Sequence, residues 1–192
     1  MKERFIAFLR GVNVAGRTLK KDVMVDAFVR AGLNNVRTHI ASGNVSFDAP
    51  VHVNRFTLTR RLEKLLAEAA GYDVPVFLRS LGEVAAVLEL DPFKKARVTP
   101  NMRLCIIFIS EPLPKGTVLP FQSPKGDFDL LQASPGEVFA IMYVRDGRPG
   151  NPSAYIEKTH GVKATTRFFG ATAKILAAAK EPMTDRGATS GR

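Results

Sequence analysis

Arg4–Leu9 reads RFIAFL and Arg103–Ile109 reads RLCIIFI, and these two stretches decide the fold. Each is a short apolar run, rich in aromatic and branched residues, that stops at a polar loop, so each predicts a β-strand. A strand wetted on one face alternates apolar with polar residues. These do not: Phe5, Ala7 and Leu9 fall on one face with Ile6 and Phe8 on the other, while Leu104, Ile106 and Phe108 oppose Cys105, Ile107 and Ile109. Both faces are therefore expected to be covered, one by a half's own helices and the other by the partner half or by extra helices. An open sheet platform for RNA is hard to keep under such packing.

Working outward from the first strand, Met24, Ala27, Phe28 and Ala31 recur at helical spacing, with Gly32 placed as a C-cap glycine. Val36–Ile40 and Val45–Phe47 flank the turn composition Ala41-Ser42-Gly43-Asn44 and predict a hairpin. Leu58, Leu62, Leu65, Leu66 and Ala69 form an amphipathic stripe that stops at Gly71, and Val74–Leu78 makes a fourth strand. The order is βαββαβ.

The plan returns after residue 101. Arg103–Ile109 is a strand, and Glu111–Lys125 is proline-rich and at best a degraded helical connection. Phe128–Gln132 and Val138–Val144 flank Ser134-Pro135-Gly136 as a second hairpin. Ser153–His160 predicts a helix, Thr165–Phe168 a strand and Ala171–Lys180 a last helix. The matching elements start at residues 5 and 104, turn at 42 and 135, and reach the last strand at 74 and 164. The expected fold is α+β, two tandem ferredoxin-like (βαββαβ) halves packed together with a linking helix and a C-terminal helix. Residues 1–80 form the first half, 81–101 a linking helix and loop, 102–181 the second, degraded half and 182–192 a mobile tail.

Composition narrows the function classes. Hydrophobic residues make 45% and charged residues 24% of the 192-residue chain, as in a water-soluble globular protein. No apolar run approaches the ~18 residues of a membrane span, and the start carries no signal-peptide pattern, so neither a membrane partner nor export is expected. The single cysteine, Cys105, stands inside an apolar strand, and a cytoplasmic location is the simplest reading. The net charge of +10 favours anionic partners, but it is spread: residues 1–80 hold 13 Lys+Arg against 7 Asp+Glu, and the remainder 15 against 11. Arg60, Arg61 and Lys64 form the nearest thing to a stripe and are expected to be relieved by Glu63 and Glu68 on one solvated helix face.

Three motifs carry chemistry. Gly11-Val12-Asn13-Val14-Ala15-Gly16 spaces two glycines around an asparagine between a strand and a helix, with Lys20 and Lys21 following. Such a loop is either a tight structural turn or an anion cradle. It lacks the middle glycine of a dinucleotide fingerprint and has no Gly-Lys-Ser/Thr phosphate loop. Ser42-Gly43-Asn44 is either a hairpin turn or part of a site, and the topology is expected to put it at the opposite end of the sheet from the Asn13 loop. Thr165-Thr166-Arg167 offers two hydroxyls and a planar cation, suited to phosphate or carboxylate, yet Thr is also an ordinary strand former. His39, His52 and His160 are scattered and one cysteine builds no zinc site, so no metal or other cofactor is expected. Asp127 and Asp129 read as solvated, no G-x-S-x-G elbow is present, and only Phe47 meets the aromatic pattern of an RNA-binding sheet. No catalytic motif stands out.

With Phe5–Gly16 (FIAFLRGVNVAG), Val36–Asp48 (VRTHIASGNVSFD), Gly71–Arg79 (GYDVPVFLR) and Gly161–Lys174 (GVKATTRFFGATAK) laid out in order, the chain resembles the bacterial domain-of-unknown-function family 1697. The resemblance implies the two-part ferredoxin-like plan and no assigned activity. It places the family's polar motifs on Arg10, Gly11, Asn13 and Gly16, on Ser42, Gly43 and Asn44, and on Thr165, Thr166, Arg167 and Lys174. The chain departs from the family pattern at His39-Ile40-Ala41, at Pro149-Gly150 and at Phe168-Phe169-Gly170-Ala171, and it has no tryptophan. The leading expectation is a binding site for a small anionic ligand such as a nucleotide or phosphorylated metabolite. Nucleic-acid binding through diffuse basic surface and an enzyme of unassigned reaction are the alternatives.

Overall fold

In the computed structural model, which describes residues 1–182 apart from 15, 41, 42 and 95, the opening apolar run is the centre of a four-stranded antiparallel sheet. β1 (Lys2–Leu9) lies between β3 (Asn44–Pro50) and β4 (Val76–Ser80), with β2 (Asn34–Thr38) outside β3. α1 (Lys21–Arg30) follows β1, and α2 (Arg55–Ala70) joins β3 to β4. α3 (Leu81–Leu90) starts directly after β4 through a capping box in which Ser80 Oγ accepts from Glu83 N and Glu83 accepts from Ser80 N.

The second sheet repeats this order. β5 (Met102–Ile109) lies between β8 (Glu137–Arg145) and β10 (Ala164–Phe168), with β7 (Phe128–Ala133) outside β8. Short strands β6 (Phe121–Gln122) and β9 (Arg148–Pro149) border β7 and β8. α4 (Pro152–His160) precedes β10 and α5 (Phe169–Lys180) follows it. α2 and α4 even share punctuation: Asn54 and Asn151 cap the first turns, and Gly71 and Gly161 end them in the left-handed region. α1 alone has no counterpart, because the proline-rich stretch after β5 holds no helix and only β6.

The two-sided strands explain how the sheets meet. Phe5, Ala7 and Leu9 point into a core beneath α1 and α2. Ile6 and Phe8 point the other way, into a core shared with Phe108 and Phe139 of the second sheet and with Val84 and Ile175 of α3 and α5. Cys105, Ile107 and Ile109 face a third core closed by Ile156 of α4. At the centre the Phe8 and Phe108 rings stack with centroids 3.9 Å apart and planes 9° from parallel. Both are fully buried.

Several local expectations need correction. The fourth strand starts at Val76, because Pro75 has no N–H to add to a ladder. Glu63 and Glu68 form no ion pair with Arg60, Arg61 or Lys64: Glu63 accepts from Val76 N, Glu68 lies 3.8 Å from Arg30, and Arg61 donates to Arg30 O. Most consequentially, the Asn13 loop and the β2–β3 hairpin are not at opposite ends of the sheet. β1 and β3 run antiparallel with Phe8 opposite Asn44, so the end of β1 and the hairpin preceding β3 share one end. The expected tail past residue 182 lies outside the described residues, as do Ala41 and Ser42 of the turn.

Candidate functional site

Arg167, on β10, reaches across from the second half to that shared end. Its five N–H groups all donate. Nε bonds Asn44 Oδ1 at 2.6 Å; Nη1 bonds Thr165 Oγ1 and Thr166 O, both at 2.9 Å; Nη2 bonds Leu9 O at 2.8 Å and Gly43 O at 2.9 Å. The guanidinium also lies 5.7 Å from the centre of the Phe8 ring. Gly43 is needed here twice over: its φ is +84°, and a Cβ would meet Leu9 O at 3.2 Å and Arg167 Nη2 at 3.5 Å.

A twin of this clamp sits in the other direction. Arg79, on β4, donates from Nε to Glu137 Oε1 at 2.6 Å and from Nη2 to Gly136 O at 2.7 Å and Ile109 O at 3.2 Å, with Nη1 on Leu78 O at 2.8 Å. It lies 5.6 Å from the Phe108 ring centre. The last strand of each sheet thus sends an arginine into the hairpin of the other sheet. Leu9 N bonds Gly43 O just as Ile109 N bonds Gly136 O, at 2.8 and 2.9 Å.

The twins differ in charge. Arg79 pairs with the buried carboxylate of Glu137, whereas Arg167 has the amide of Asn44 in the matching place. Every acceptor on Arg167 is neutral. Burial accordingly pushes its pKa down to about 10, and the charge it keeps at neutral pH is not cancelled locally.

Beside Arg167 a cleft of about 990 Å³ opens between the β1–α1 loop and β10. Arg10, Arg17, Lys163 and Arg167 line it, against one carboxylate, Asp73. Arg10 is ion-paired to Glu157, whose other oxygen accepts from Ala164 N. Among the described residues Arg17 and Lys163 make no ion pair, though Arg17 lies 4.9 Å over the Tyr72 ring. Thr165 is buried on Arg167, and the Thr166 hydroxyl is hydrogen-bonded to that of Ser153 in the first turn of α4. Asn13 braces the opposite wall: in the left-handed region at φ 54°, it accepts from Leu19 N through Oδ1 at 2.8 Å.

The cleft collects Arg10, Gly11, Asn13, Thr165, Thr166 and Arg167 among the residues singled out in the sequence, and Asn44 joins them through Arg167. Gly16 lines a shallower neighbouring depression with Arg17, Lys20 and Lys21. Lys174 is exposed on α5 and does not line the cleft. Ser42 lies outside the described residues. Arg17, Lys163, Ser153 and the Arg79–Glu137 twin escaped the sequence reading. The signal for the twin was present, since both last strands place an arginine near their ends (FLRS and TTRF). Elsewhere, His39 Nε2 meets the buried Ser46 Oγ at 2.7 Å, and Arg4 donates to the same oxygen. Ser46 is inaccessible, so that pair braces β2 against β3 rather than forming a nucleophile. Among the described residues no cluster of three or more His, Cys, Asp or Glu could hold a metal ion, and no helix is long and apolar enough to cross a membrane.

No curated protein matches the chain. Among solved structures it is similar to the conserved bacterial protein SP0830 from Streptococcus pneumoniae, at 20% identity and a TM-score of 0.64, over 94% of this chain and 100% of that one. At that identity the likeness speaks for the fold alone. The model of the family described as "Protein of unknown function (DUF1697)" matches residues 1–139, a stretch holding the β1–α1 loop, the Asn44 turn and both residues of the Arg79–Glu137 pair, and the chain belongs to that family.

Proposed function

We propose that the protein binds a small anionic ligand, such as a nucleotide or phosphorylated metabolite, in the cleft between the β1–α1 loop and β10. The observation that carries this reading is Arg167: a partly buried cation bonded only to neutral oxygens, in the wall of a cleft with a surplus of positive charge. Its donors are consumed by the fold, so it acts on a ligand through its field. At an effective dielectric near 20, a unit charge ~7 Å away is worth about 2 kcal/mol to an anion. Direct hydrogen bonds would come from Arg17 and Lys163, from the Ser153–Thr166 hydroxyl pair, and from the loop whose left-handed residues Gly11 and Asn13 give the backbone form of an anion nest. A cytoplasmic location, suited to such a metabolite, belongs to the same reading. So does the description of each half as ferredoxin-like, which the shared strand order and matched helices favour.

Thermal unfolding in the presence of phosphate, pyrophosphate and nucleoside phosphates tests it. A ligand at ten times its Kd adds about 1.4 kcal/mol, or roughly 3–5 °C for a chain of this size. Absence of any shift at millimolar concentrations would rule the reading out.

A further inference from the structure

A second cleft, of about 510 Å³, adjoins the first. Val76, Phe77 and Leu78 of β4, together with Arg55, Phe56 and Arg60 of α2, line it. Pro75 and Lys163 line both clefts. These two residues are equivalent in the two halves: each immediately precedes the last strand, and each carbonyl accepts, at 3.0 Å, the amide just past the first strand, Arg10 N on Pro75 O and Ser110 N on Lys163 O. The clefts therefore adjoin at these two residues, as one groove.

The ends of the groove differ in charge and in surface. In the second cleft Arg55 is paired with Glu83 and Arg79 with Glu137, Arg60 shares the lining with Glu63 and Glu111, and Lys163 stands where the two clefts adjoin. That end is balanced, and the Arg167 end is cationic. The balanced end also carries Phe56, 77% exposed in the first turn of α2. A lone exposed phenylalanine is ordinary. This one lies in a groove that continues into a cationic cleft, one helical turn from Arg60, beside apolar strand residues.

We propose that the groove takes a nucleoside phosphate, with the phosphate held in front of Arg167 by Arg17 and Lys163 and the base stacked on Phe56. The proposal rests on the anion reading above and extends it by naming the ligand's second half. Stacking of a base on an aromatic side chain accounts for about a ten-fold gain in affinity or more, and it tolerates any base because each has a π-face.

Calorimetric titration of the full chain with inorganic phosphate, adenosine 5′-monophosphate and a short single-stranded oligonucleotide tests this, using the wild type, Phe56→Ala and Phe56→Trp. Phe56 is exposed, so neither variant should disturb the core. The expected result is a monophosphate bound at least ten-fold more tightly than phosphate, with that advantage lost in Phe56→Ala, kept in Phe56→Trp, and phosphate affinity equal in all three. A monophosphate no tighter than phosphate, or an advantage that survives Phe56→Ala, overturns the proposal and leaves the anion reading standing. Tighter binding of the oligonucleotide per site, with steep salt dependence, overturns it in favour of a strand-tracking groove. If neither phosphate nor the monophosphate binds, both readings fall together.

Discussion

Arg167 Nε donates to Asn44 Oδ1 at 2.6 Å although the two residues are 123 positions apart in the chain. The same distance joins Arg79 Nε to Glu137 Oε1 in the twin clamp, where the acceptor is a carboxylate. One clamp is thus electrically closed and the other open, within a pair of otherwise matched contacts.

Removing the open clamp should cost stability as well as charge. Arg167→Ala strips donors from Leu9 O, Gly43 O and Asn44 Oδ1 at the junction of the halves. A loss of about 3 kcal/mol is expected from the orphaned acceptors, read as a lower urea midpoint. Arg167→Lys should recover little of it, because a point ammonium cannot reproduce the planar fork. Full recovery by lysine would show that charge alone matters.

Glu137→Gln should destabilise the protein. It removes the carboxylate bonded to the part-buried Arg79, leaving Glu83 as the nearby acid that interacts with it, and breaking one partner of a buried pair typically costs about 3–5 kcal/mol. The amide can still accept from Arg79 Nε, as Asn44 does for Arg167, so about 2 kcal/mol is the expected net loss in denaturant titration. A variant as stable as wild type would show that the Arg79 clamp does not need its charge partner.

Stability should fall on mild acidification. Burial, together with the charges of Arg4 and Arg37 and against that of Glu181, holds the His39 pKa below its ordinary value. The folded protein therefore binds fewer protons at this site than the unfolded chain, and stability declines as pH drops below about 6.5. In His39→Gln the slope between pH 7 and 5.5 should flatten. A separate loss is expected at lower pH from Asp48 and Glu83. Burial would raise both carboxyls, but it is outweighed by hydrogen bonds from Asn35 and Arg4 to Asp48 and from Arg55 and the Ser80 amide to Glu83, which leave both below their usual range. The stability they contribute is present above their unfolded values, near pH 4, and disappears as pH falls through the folded ones. An unchanged slope in His39→Gln would assign the neutral-range loss elsewhere.

The stacked pair Phe8 and Phe108 should make the halves one cooperative unit. Phe108→Ala removes a fully buried ring at the sheet–sheet contact, for an expected loss of about 3–5 kcal/mol. Unfolding should remain a single transition when followed by probes in either half. Two separated transitions in the wild type would contradict this packing.

The covering of both strand faces was legible because residue periodicity reports burial directly: Phe5 and Phe8, three positions apart, could not both be wet or both face one core. The order of elements was legible for the same reason, apart from the stretch after β5, where prolines removed the helix. The site was legible only in pieces. Asn13, Asn44 and Arg167 were visible as polar residues in unusual company, but their meeting depends on Arg167 reaching from the second sheet to the end of the first, a packing that local pattern does not state. Arg17 and Lys163 looked like any surface cation, since what distinguishes them is the wall they share. The Arg79–Glu137 pair was hidden by distance along the chain, 58 positions, and by the ordinary appearance of an arginine near a strand end.

The uncancelled charge of Arg167 is the centre of this account, and Asn44→Asp tests it most directly by giving Arg167 the carboxylate that Arg79 already has. Titration calorimetry of phosphate or a nucleoside phosphate at fixed ionic strength should show affinity reduced about ten-fold or more in Asn44→Asp, with the circular dichroism of the folded protein retained. Equal or tighter anion binding by a folded Asn44→Asp protein would contradict the account.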